Sequence, residues 1–311
     1  MLIDVQVGFE MTNNLKLSVC VSTYNQEEYI GECLESLVSQ ELDFSWNIIV
    51  SDDCSTDNTL AIVRSFEARF PDRVVVLENQ KNQGPFLNYV NLHSQAMGEL
   101  VAHMDGDDIA RPGKLKTQVA YMDTNPECNI CWHRMSFFKG DVRCEHPAVN
   151  HEFTSKKIHA DELCHLGPFA PHSSTMYRRR NFNRALFKDK CDDWLVSLFY
   201  IQGGYGVMLD AVLGEYRITS GSMSSGSVAN KKNRQLSTSS QMMAIVEYPD
   251  LSRDVATRAL ANFLLDAVKL RSYCFLSLRV LAYAGRPPKI FKFLKLARFY
   301  RWSRLPSVFK S

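Results

Sequence analysis

The chain has 311 residues, of which 45% are hydrophobic and 23% are charged. This composition is typical of a globular protein with a large core and excludes a disordered or fibrous chain. The formal net charge is only +2, which excludes a general attraction to nucleic acid. We expect one domain with an appendage.

Cysteine usage and hydropathy indicate where the protein works. Cys128 and Cys131 have zinc-like spacing, but no second such pair completes a site, so we expect the nine cysteines to be mostly reduced and buried. Residues 1–15 lack the basic-then-apolar pattern of a signal peptide. The longest uncharged apolar run, 194–209, is shorter than the ~18 residues that span a bilayer. These features predict a soluble or peripheral protein in the cytoplasm.

Short apolar segments alternate with amphipathic ones in the first third of the chain. The predicted strands cover residues 17–22, 46–50, 74–77 and 99–104, and the predicted helices cover 27–39, 56 or 57 to about 70, and 85–97. This alternation predicts an α/β fold with a doubly wound, mostly parallel sheet and helices on both faces. Ligands bind at the carboxyl ends of the strands in such sheets, so we expect the polar loops there to share one edge.

The fourth predicted strand ends at three carboxylates, Asp105, Asp107 and Asp108. Such closely spaced carboxylates repel one another unless a cation lies among them, and oxygen ligands on a short loop suit Mg²⁺ or Mn²⁺. Asp105 and Asp107 can point to one position if the loop bends at Gly106. The alternative is a solvated acidic turn that caps the next helix, with Pro112 in its first turn.

The second half of the chain has a less regular pattern. We predict a helix over 114–122, strands over 128–138 and 171–179, a helix that follows Asp192 and Asp193, and two helices within 241–281. Residues 285–311 contain eight Lys or Arg and no acid. If residues 289–298 are helical, this basic tail either lies on an anionic membrane surface or packs with a solvated cationic face.

Four segments resemble the successive motifs of family 2 glycosyltransferases with the GT-A fold, in residue type and in spacing. They are Ser22-Thr23-Tyr24-Asn25, residues 51–59, Asn82-Gln83-Gly84 and Met104-Asp105-Gly106-Asp107-Asp108. The resemblance extends from about residue 17 to about residue 224. It implies a domain over 1–228, with nucleotide-sugar binding in about 15–115 and the acceptor side in 116–228, followed by a helical region over 229–311.

The resemblance implies a metal-dependent inverting enzyme that moves a sugar from a nucleotide diphosphate to an acceptor hydroxyl. A UDP-sugar is the favoured donor, and a cell-surface glycan or a polyprenyl-linked precursor is the expected acceptor. The implied donor-binding residues are Thr23, Tyr24, Asn25, Asp52, Asp53, Asn82, Gly84, Asp105, Gly106 and Arg217. Asp105 and Asp107 would bind Mn²⁺ or Mg²⁺, and Asp108 would orient their loop.

Several of these assignments have structural alternatives. Asp53 is favoured over Asp52 as the acceptor for the uracil N–H, although either acid can belong to a turn or a helix cap. Tyr24 can be a half-buried loop aromatic. Arg217 can pair with a phosphate or bridge two loops. In the family a His often completes the metal shell where this chain has Thr219, so phosphates and waters would take that place.

On the acceptor side, the resemblance assigns the general base to Asp193. Asp192 would support the loop or contact the acceptor, and His172 lies in a segment expected on the acceptor side. By sequence alone, two acids at a helix start are more typical of caps that stabilise the helix dipole. The Gly- and Ser-rich residues 220–227 predict a flexible lid.

The sequence gives less support to functions other than glycosyl transfer. A sugar-1-phosphate nucleotidyltransferase needs a Gly-rich, basic N-terminal loop, and residues 22–26 do not form one. The chain also has no G-x-G-x-x-G segment, which argues against a dinucleotide-binding domain. A non-catalytic nucleotide-sugar-binding or scaffold protein of the same fold remains the alternative.

Overall fold

The computed structural model describes residues 15–145, 153–167, 170–180, 191–219, 227–268, 275–286 and 288. Its strands are β1 Leu17–Thr23, β2 Trp46–Asp52, β3 Val74–Glu78, β4 Leu100–Asp105, β5 Ile109–Ala110, β6 Cys128–Lys139, β7 Val142–Glu145, β8 Lys157–Ile158, β9 Met176–Arg178 and β10 Tyr205–Arg217. Its helices are α1 Ile30–Val38, α2 Thr59–Arg69, α3 Pro85–Ser94, α4 Lys114–Thr124, α5 Ala160–Leu166, α6 Asp193–Ile201, α7 Ser227–Glu247, α8 Ser252–Val268 and α9 Phe275–Ala284.

These strands form one sheet in the order β3-β2-β1-β4-β9-β6-β10-β5, with β7 beside β6 and β8 beside β10. The long ladders, β1 with β2 and β4, β2 with β3, and β6 with β10, are parallel. The antiparallel pairings are short. These ladders confirm the mostly parallel sheet. Because β2, β1 and β4 are parallel neighbours, their carboxyl ends meet at one edge.

Helices cover both faces of the sheet. On one face, α1, α2 and α4 share an apolar cluster with the strands. In this cluster α1 contributes Ile30, Cys33, Leu34 and Leu37, spaced three or four residues apart as one helix face requires. On the other face, α3 and α5 to α9 share a second apolar cluster, with Trp132 and Trp194 fully buried in it. A strand covered on both faces carries no charged side chain, as in β1, where six of the seven residues are buried.

Two elements differ from the sequence prediction. The apolar run 194–209 is divided between α6 and the 13-residue strand β10, which the sequence pattern did not predict. The strand predicted over 171–179 is correct only for Met176–Arg178. His172–Ser174 forms a 3₁₀ turn instead, because the Thr175 N–H donates to the His172 carbonyl at 2.9 Å and the Ser174 hydroxyl to the Pro171 carbonyl at 2.6 Å.

The C-terminal region contains three described helices rather than the two predicted. α7 begins at Ser227, so the domain boundary proposed at 228 falls in its first turn. The predicted lid, apart from Ser227, and the predicted helix over 289–298 lie outside the described residues. Within the described part of the chain, no helix combines the length and hydropathy needed to cross a membrane. The eight described cysteines are free thiols, and six of them are buried.

Candidate functional site

The loop after β4 packs directly against the loop after β1. The N–H of Gly106 donates to the Ser22 carbonyl at 2.9 Å. A Cβ atom at Gly106 would lie 2.5 Å from Oε1 of Gln26 and 3.0 Å from Cβ of Thr23, closer than side chains normally approach. Glycine at 106 therefore permits a close contact between loops, and it brings Asp105 and Asp107 beside the loop that starts at Thr23.

Asp52 is the last residue of β2, Asp53 follows it, and both are buried. Asp52 accepts hydrogen bonds from the backbone N–H of Ser55 at 2.9 Å and from its hydroxyl at 2.5 Å, which closes the turn after the strand. Asp53 reaches the next loop, where it accepts from the N–H groups of Gln83 at 2.9 Å and Gly84 at 2.8 Å. Both carboxylates hold loops in place, and the contact of Asp53 with uracil stays a prediction.

The remaining donor-side residues surround this pair. Thr23 is buried and donates to Gln26, while the Tyr24 side chain is 44% exposed. Asn25 has a φ of +50° and accepts from the Thr56 N–H at 2.8 Å, which joins the loops after β1 and β2. Asn82 is exposed and accepts from the Gly84 N–H at the start of α3. The structure thus brings the predicted loops to one edge of the sheet.

The acidic loop holds three carboxylates with different environments. Burial is the largest single influence and would raise the pKa of Asp105, but the hydrogen bond from His103, together with the nearby His172 and the Ser22 hydroxyl, lowers that pKa to about 2. Burial and the charge of Asp105 raise the pKa of Asp107 to about 6. Burial, with the charges of Asp105 and Asp107, raises the pKa of Asp108 well above its usual range. The three carboxylates repel one another and offer only oxygen ligands, so the loop suits a hard divalent cation.

Asp108 ties the acidic loop to the rest of the sheet. It accepts from the Ser173 hydroxyl at 2.5 Å and from the Arg217 N–H at 2.9 Å. These bonds agree with the loop-orienting role that the sequence predicted for it.

Arg217 bridges loops in this structure. Its Nε donates to the Asp107 carbonyl at 2.8 Å, its Nη2 pairs with Glu32, and its guanidinium lies 4.4 Å from the centre of the Phe138 ring. Of the two alternatives for this residue, the bridge is the arrangement that these contacts form. Contact between Arg217 and a phosphate stays a prediction.

On the acceptor side, Asp192 and Asp193 have separate roles in the helix that follows them. Asp192 is the N-cap of α6 and accepts from the Leu195 N–H at 3.3 Å, while its own N–H donates to the Ser240 hydroxyl at 2.9 Å. Burial raises the pKa of Asp192 to about 6. The side chain of Asp193 is 57% exposed and borders a small depression that Trp132 and Trp194 also line.

His172 lies between the acidic loop and Asp193. Its ring stacks on that of His103 with centroids 3.9 Å apart, and its Nδ1 is 3.7 Å from an Asp193 carboxylate oxygen. His103 in turn lies 3.1 Å from Asp105. Asp105 and Asp193 are therefore linked through two stacked imidazoles.

The buried His93 and His103 are functional candidates that the sequence analysis missed, whereas it placed His172 on the acceptor side only. Ligand atoms of His103, Asp105 and His172 all lie within 4.8 Å of one another, close enough to hold a metal ion. The one sequence signal was His103 itself, a polar residue inside the apolar strand β4. Nothing in the sequence pattern indicated that His93 and His172 lie beside it.

The fold, with acidic loops at the carboxyl ends of its parallel strands, is that of the GT-A glycosyltransferases. Residues 18–186, more than half of the chain, match the family described as Glycosyl transferase family 2. The chain therefore belongs to glycosyl transferase family 2.

Two relatives show how far the sequence similarity extends. An uncharacterized protein of Mycobacterium bovis is 32% identical over 205 residues, 65% of this chain and 58% of that protein. The poly(ribitol-phosphate) beta-N-acetylglucosaminyltransferase TarS of Staphylococcus aureus is 39% identical over 110 residues, 35% of this chain and 19% of TarS. The chain thus spans less than two thirds of either relative.

Solved structures confirm the predicted fold. A crystal structure of residues 1–349 of S. aureus TarS in complex with UDP-GlcNAc aligns with a TM-score of 0.62 at 23% identity, over 94% of this chain and 93% of that one. The mannosyltransferase PcManGT of Pyrobaculum calidifontis, solved with GDP-Man and Mn²⁺, aligns with a TM-score of 0.60 at 18% identity, over 93% and 83%. At these identities the alignments show the shared GT-A fold.

Proposed function

We propose that the protein is a metal-dependent inverting glycosyltransferase that moves a sugar from a UDP-sugar to an acceptor hydroxyl. One observation supports this most strongly: Asp105 and Asp193 are joined through the stacked rings of His103 and His172. A donor bound over the acidic loop would therefore present its anomeric carbon near Asp193. The family supplies transfer as the reaction class, and the geometry supports these residue roles.

The donor would bind across the edge formed by β2, β1 and β4. Asp105 and Asp107 would hold Mn²⁺ or Mg²⁺, which neutralises the leaving diphosphate when it is bound. Thr23 and the exposed Tyr24 ring would contact the nucleobase, with Asp53 as acceptor for an imide N–H. UDP is favoured as the donor nucleotide because TarS was solved with UDP-GlcNAc. Mn²⁺ is one of the two proposed ions, and PcManGT was solved with it.

Asp193 would act as the general base. Its carboxylate is open to solvent and lies in the first turn of α6, where an acceptor hydroxyl can approach it. It would remove the hydroxyl proton while the acceptor oxygen attacks the anomeric carbon. The new glycosidic bond forms as the bond to phosphate breaks, and the diphosphate leaves with the electron pair from the opposite face. Configuration at that carbon is inverted.

The acceptor would be a cell-surface glycan or its polyprenyl-linked precursor, at the cytoplasmic face of the membrane. The basic composition of residues 285–311 supports contact with anionic lipid headgroups. Binding of the full chain to vesicles that contain anionic lipid, compared with neutral vesicles, would test this contact. Binding that is equal on both vesicle types would contradict it.

A panel of nucleotide sugars tests the donor proposal. A preferred donor should raise the melting temperature with Mn²⁺ present and do so far less with EDTA, because binding to the folded state stabilises it. The preferred donor is then incubated with lipid-linked and glycan acceptors, and the anomeric configuration of the product is determined by NMR. A retained configuration would contradict the inverting mechanism. Donor binding without transfer to any acceptor would favour a non-catalytic nucleotide-sugar-binding protein.

A further inference from the structure

A series of buried polar side chains runs from the interior of the sheet to Asp105. The Tyr177 hydroxyl on β9 contacts Nδ1 of His93 on α3. Nε2 of His93 lies 2.9 Å from Nδ1 of His103 on β4, and Nε2 of His103 lies 3.1 Å from Oδ1 of Asp105. His93, His103 and Tyr177 are at most 4% exposed, so water does not compete for these contacts.

The direction of each hydrogen bond follows from what each group can donate. An ionised carboxylate only accepts, so Nε2 of His103 must carry the proton that faces Asp105. In a neutral imidazole the other nitrogen then accepts, so Nδ1 of His103 receives the Nε2 proton of His93. By the same reasoning, Nδ1 of His93 receives the hydroxyl proton of Tyr177. Nε2 of His93 and Nδ1 of His103 face each other at 2.9 Å in a buried contact, so only one of these two nitrogens can carry a proton there.

We propose that Tyr177, His93 and His103, here called the Asp105 relay, are positioning residues that hold Asp105 in place for the donor complex. The relay fixes Oδ1 of Asp105 against the protein. Among the described residues, the other oxygen, Oδ2, has one long contact, 3.5 Å from the Ser173 hydroxyl, and would be the oxygen presented to ligand. This inference rests on the proposed function, in which Asp105 binds the metal–donor complex.

Removing the Tyr177 hydroxyl should act through three residues on Asp105. Without that donor, Nδ1 of His93 is a buried acceptor with no partner, which is costly. The His93 proton can move to Nδ1 to relieve this, but then His103 must donate to His93 and presents a bare Nε2 lone pair to Asp105. Either outcome weakens the hydrogen bond from His103 to Oδ1 of Asp105.

The test on variants measures Mn²⁺ affinity of the full chain with UDP present, by EPR of the free ion. His103→Leu, which removes the bond to Asp105, should raise the Kd about 10-fold, as loss of a hydrogen bond to a ligating carboxylate does. His103→Gln, whose amide N–H can replace Nε2–H, should recover most of that loss. Tyr177→Phe should raise the Kd roughly 5-fold.

The matched control is Tyr205→Phe. Tyr205 lies in β10, outside the relay. It is also buried, and its hydroxyl donates to Asn125 at 3.2 Å. It should leave the Mn²⁺ affinity unchanged. Equal effects of Tyr177→Phe and Tyr205→Phe would overturn the relay, because a merely structural role of the hydroxyl predicts that equality.

A measurement on the unaltered protein tests the proton order even if a variant fails to fold. With ¹⁵N-histidine labelling, the ring nitrogen shifts should show His93 and His103 as neutral Nε2–H tautomers, and a Nδ1–H form of either would overturn the proposal. The imidazoles of His103 and His172 could instead bind the cation directly, since both lie near Asp105. In that case ¹⁴N coupling to bound Mn²⁺ would appear in the pulsed EPR spectrum, which would also overturn the relay.

Asp105→Asn separates failure of the relay from failure of the proposed function. If this variant binds Mn²⁺ and UDP as well as the unaltered protein does, the role of Asp105 in donor binding is wrong and the relay has no purpose. If it weakens binding while Tyr177→Phe matches Tyr205→Phe, the proposed function stands and the relay alone is overturned.

Discussion

The donor-side loops and the acceptor-side helix α6 are held in place in different ways. On the donor side, loops that follow neighbouring parallel strands bond directly to one another, as Asp53 does to Gly84 and Asn25 to Thr56. On the acceptor side, α6 is held by segments far away in sequence, including the bond from Asp192 to Ser240 on α7. The sheet edge fixes the proposed donor site, whereas the C-terminal helices fix the helix that carries the proposed general base.

The C-terminal helices reach the acceptor side through more than one contact. The Trp194 indole N–H donates to the Leu163 carbonyl on α5 at 2.9 Å. α5 is held in turn by α8, where His165 lies 3.0 Å from Asp254 and Arg258 donates to the His165 carbonyl at 2.9 Å. Changes on α7 and α8 should therefore alter catalysis and leave donor binding intact.

The largest expected effect on the donor side comes from Asp107→Asn. It removes a proposed metal ligand, so transfer should fall by roughly 1000-fold and Mn²⁺-dependent UDP binding should be lost with it. Steady-state kinetics and calorimetry measure the two losses. The matched control is Asp43→Asn, at an exposed acid outside the site, and it should change neither. Full transfer by Asp107→Asn would show that the metal is bound elsewhere.

The pH dependence of stability tests the burial of the acceptor-side cap. The pKa of Asp192 is raised to about 6 in the folded protein. The protonated Asp192 therefore makes its full contribution to the free energy of unfolding below pH ~4, and this contribution is lost as the pH rises to about 6. Asp192→Asn keeps the cap and cannot ionise, so its stability relative to the unaltered protein should increase by up to about 3 kcal/mol across that range. Urea unfolding at pH 4 and pH 7 measures the difference. If the free energies of unfolding of the two proteins differ by the same amount at both pH values, the pKa of Asp192 is not raised by burial.

The close contact between donor-side loops can be broken at Gly106. In Gly106→Ala the added methyl group meets Gln26 and Thr23, which should cost about 1–3 kcal/mol, mostly as weaker UDP binding. Gly31→Ala is the control, because its Cβ would meet only Ile62 at an ordinary 3.8 Å within helix α1. UDP titrations on both variants decide the matter. Equal affinities would mean that the loops after β1 and β4 need not touch.

The smallest expected effect comes from Ser240→Ala on α7. Loss of the hydroxyl that accepts from Asp192 should cost about 1 kcal/mol of stability and lower kcat several-fold, with the Kd for UDP unchanged. Ser239→Ala, at the exposed neighbouring serine, is the control. Thermal unfolding, kinetics and UDP titration separate the three quantities. A change in UDP affinity alone would reverse the assignment of α7 to the acceptor side.

The same contrast explains what the sequence could predict. The loops after β1, β2 and β4 are local features, and their motifs and spacing located the donor edge and the acids Asp105 and Asp107. Strand β10 was not predicted because Gly206, Asp210 and Gly214 interrupt its apolar pattern. Its ladder with β6 outweighs that weak local preference.

The polar contacts behind the site could not be predicted from the sequence for a related reason. Tyr177 and His93 are 84 positions apart, and Asp192 and Ser240 are 48 apart. No local period relates such residues, and only the packed sheet places them together. The sequence analysis found the acids that we propose contact ligand and missed the buried groups that hydrogen-bond to them.

The central claim is that one cleft binds the donor through the loops of the sheet edge and removes the acceptor proton through Asp193. Asp193→Asn tests it most directly, with donor affinity measured by calorimetry and transfer measured by product formation on the same sample. We expect the Kd for UDP with Mn²⁺ to stay within about 2-fold, because Asp193 is 57% exposed and outside the donor loops. Transfer should fall by roughly 10²- to 10⁴-fold. Undiminished transfer, or loss of donor binding in parallel with transfer, would contradict the claim.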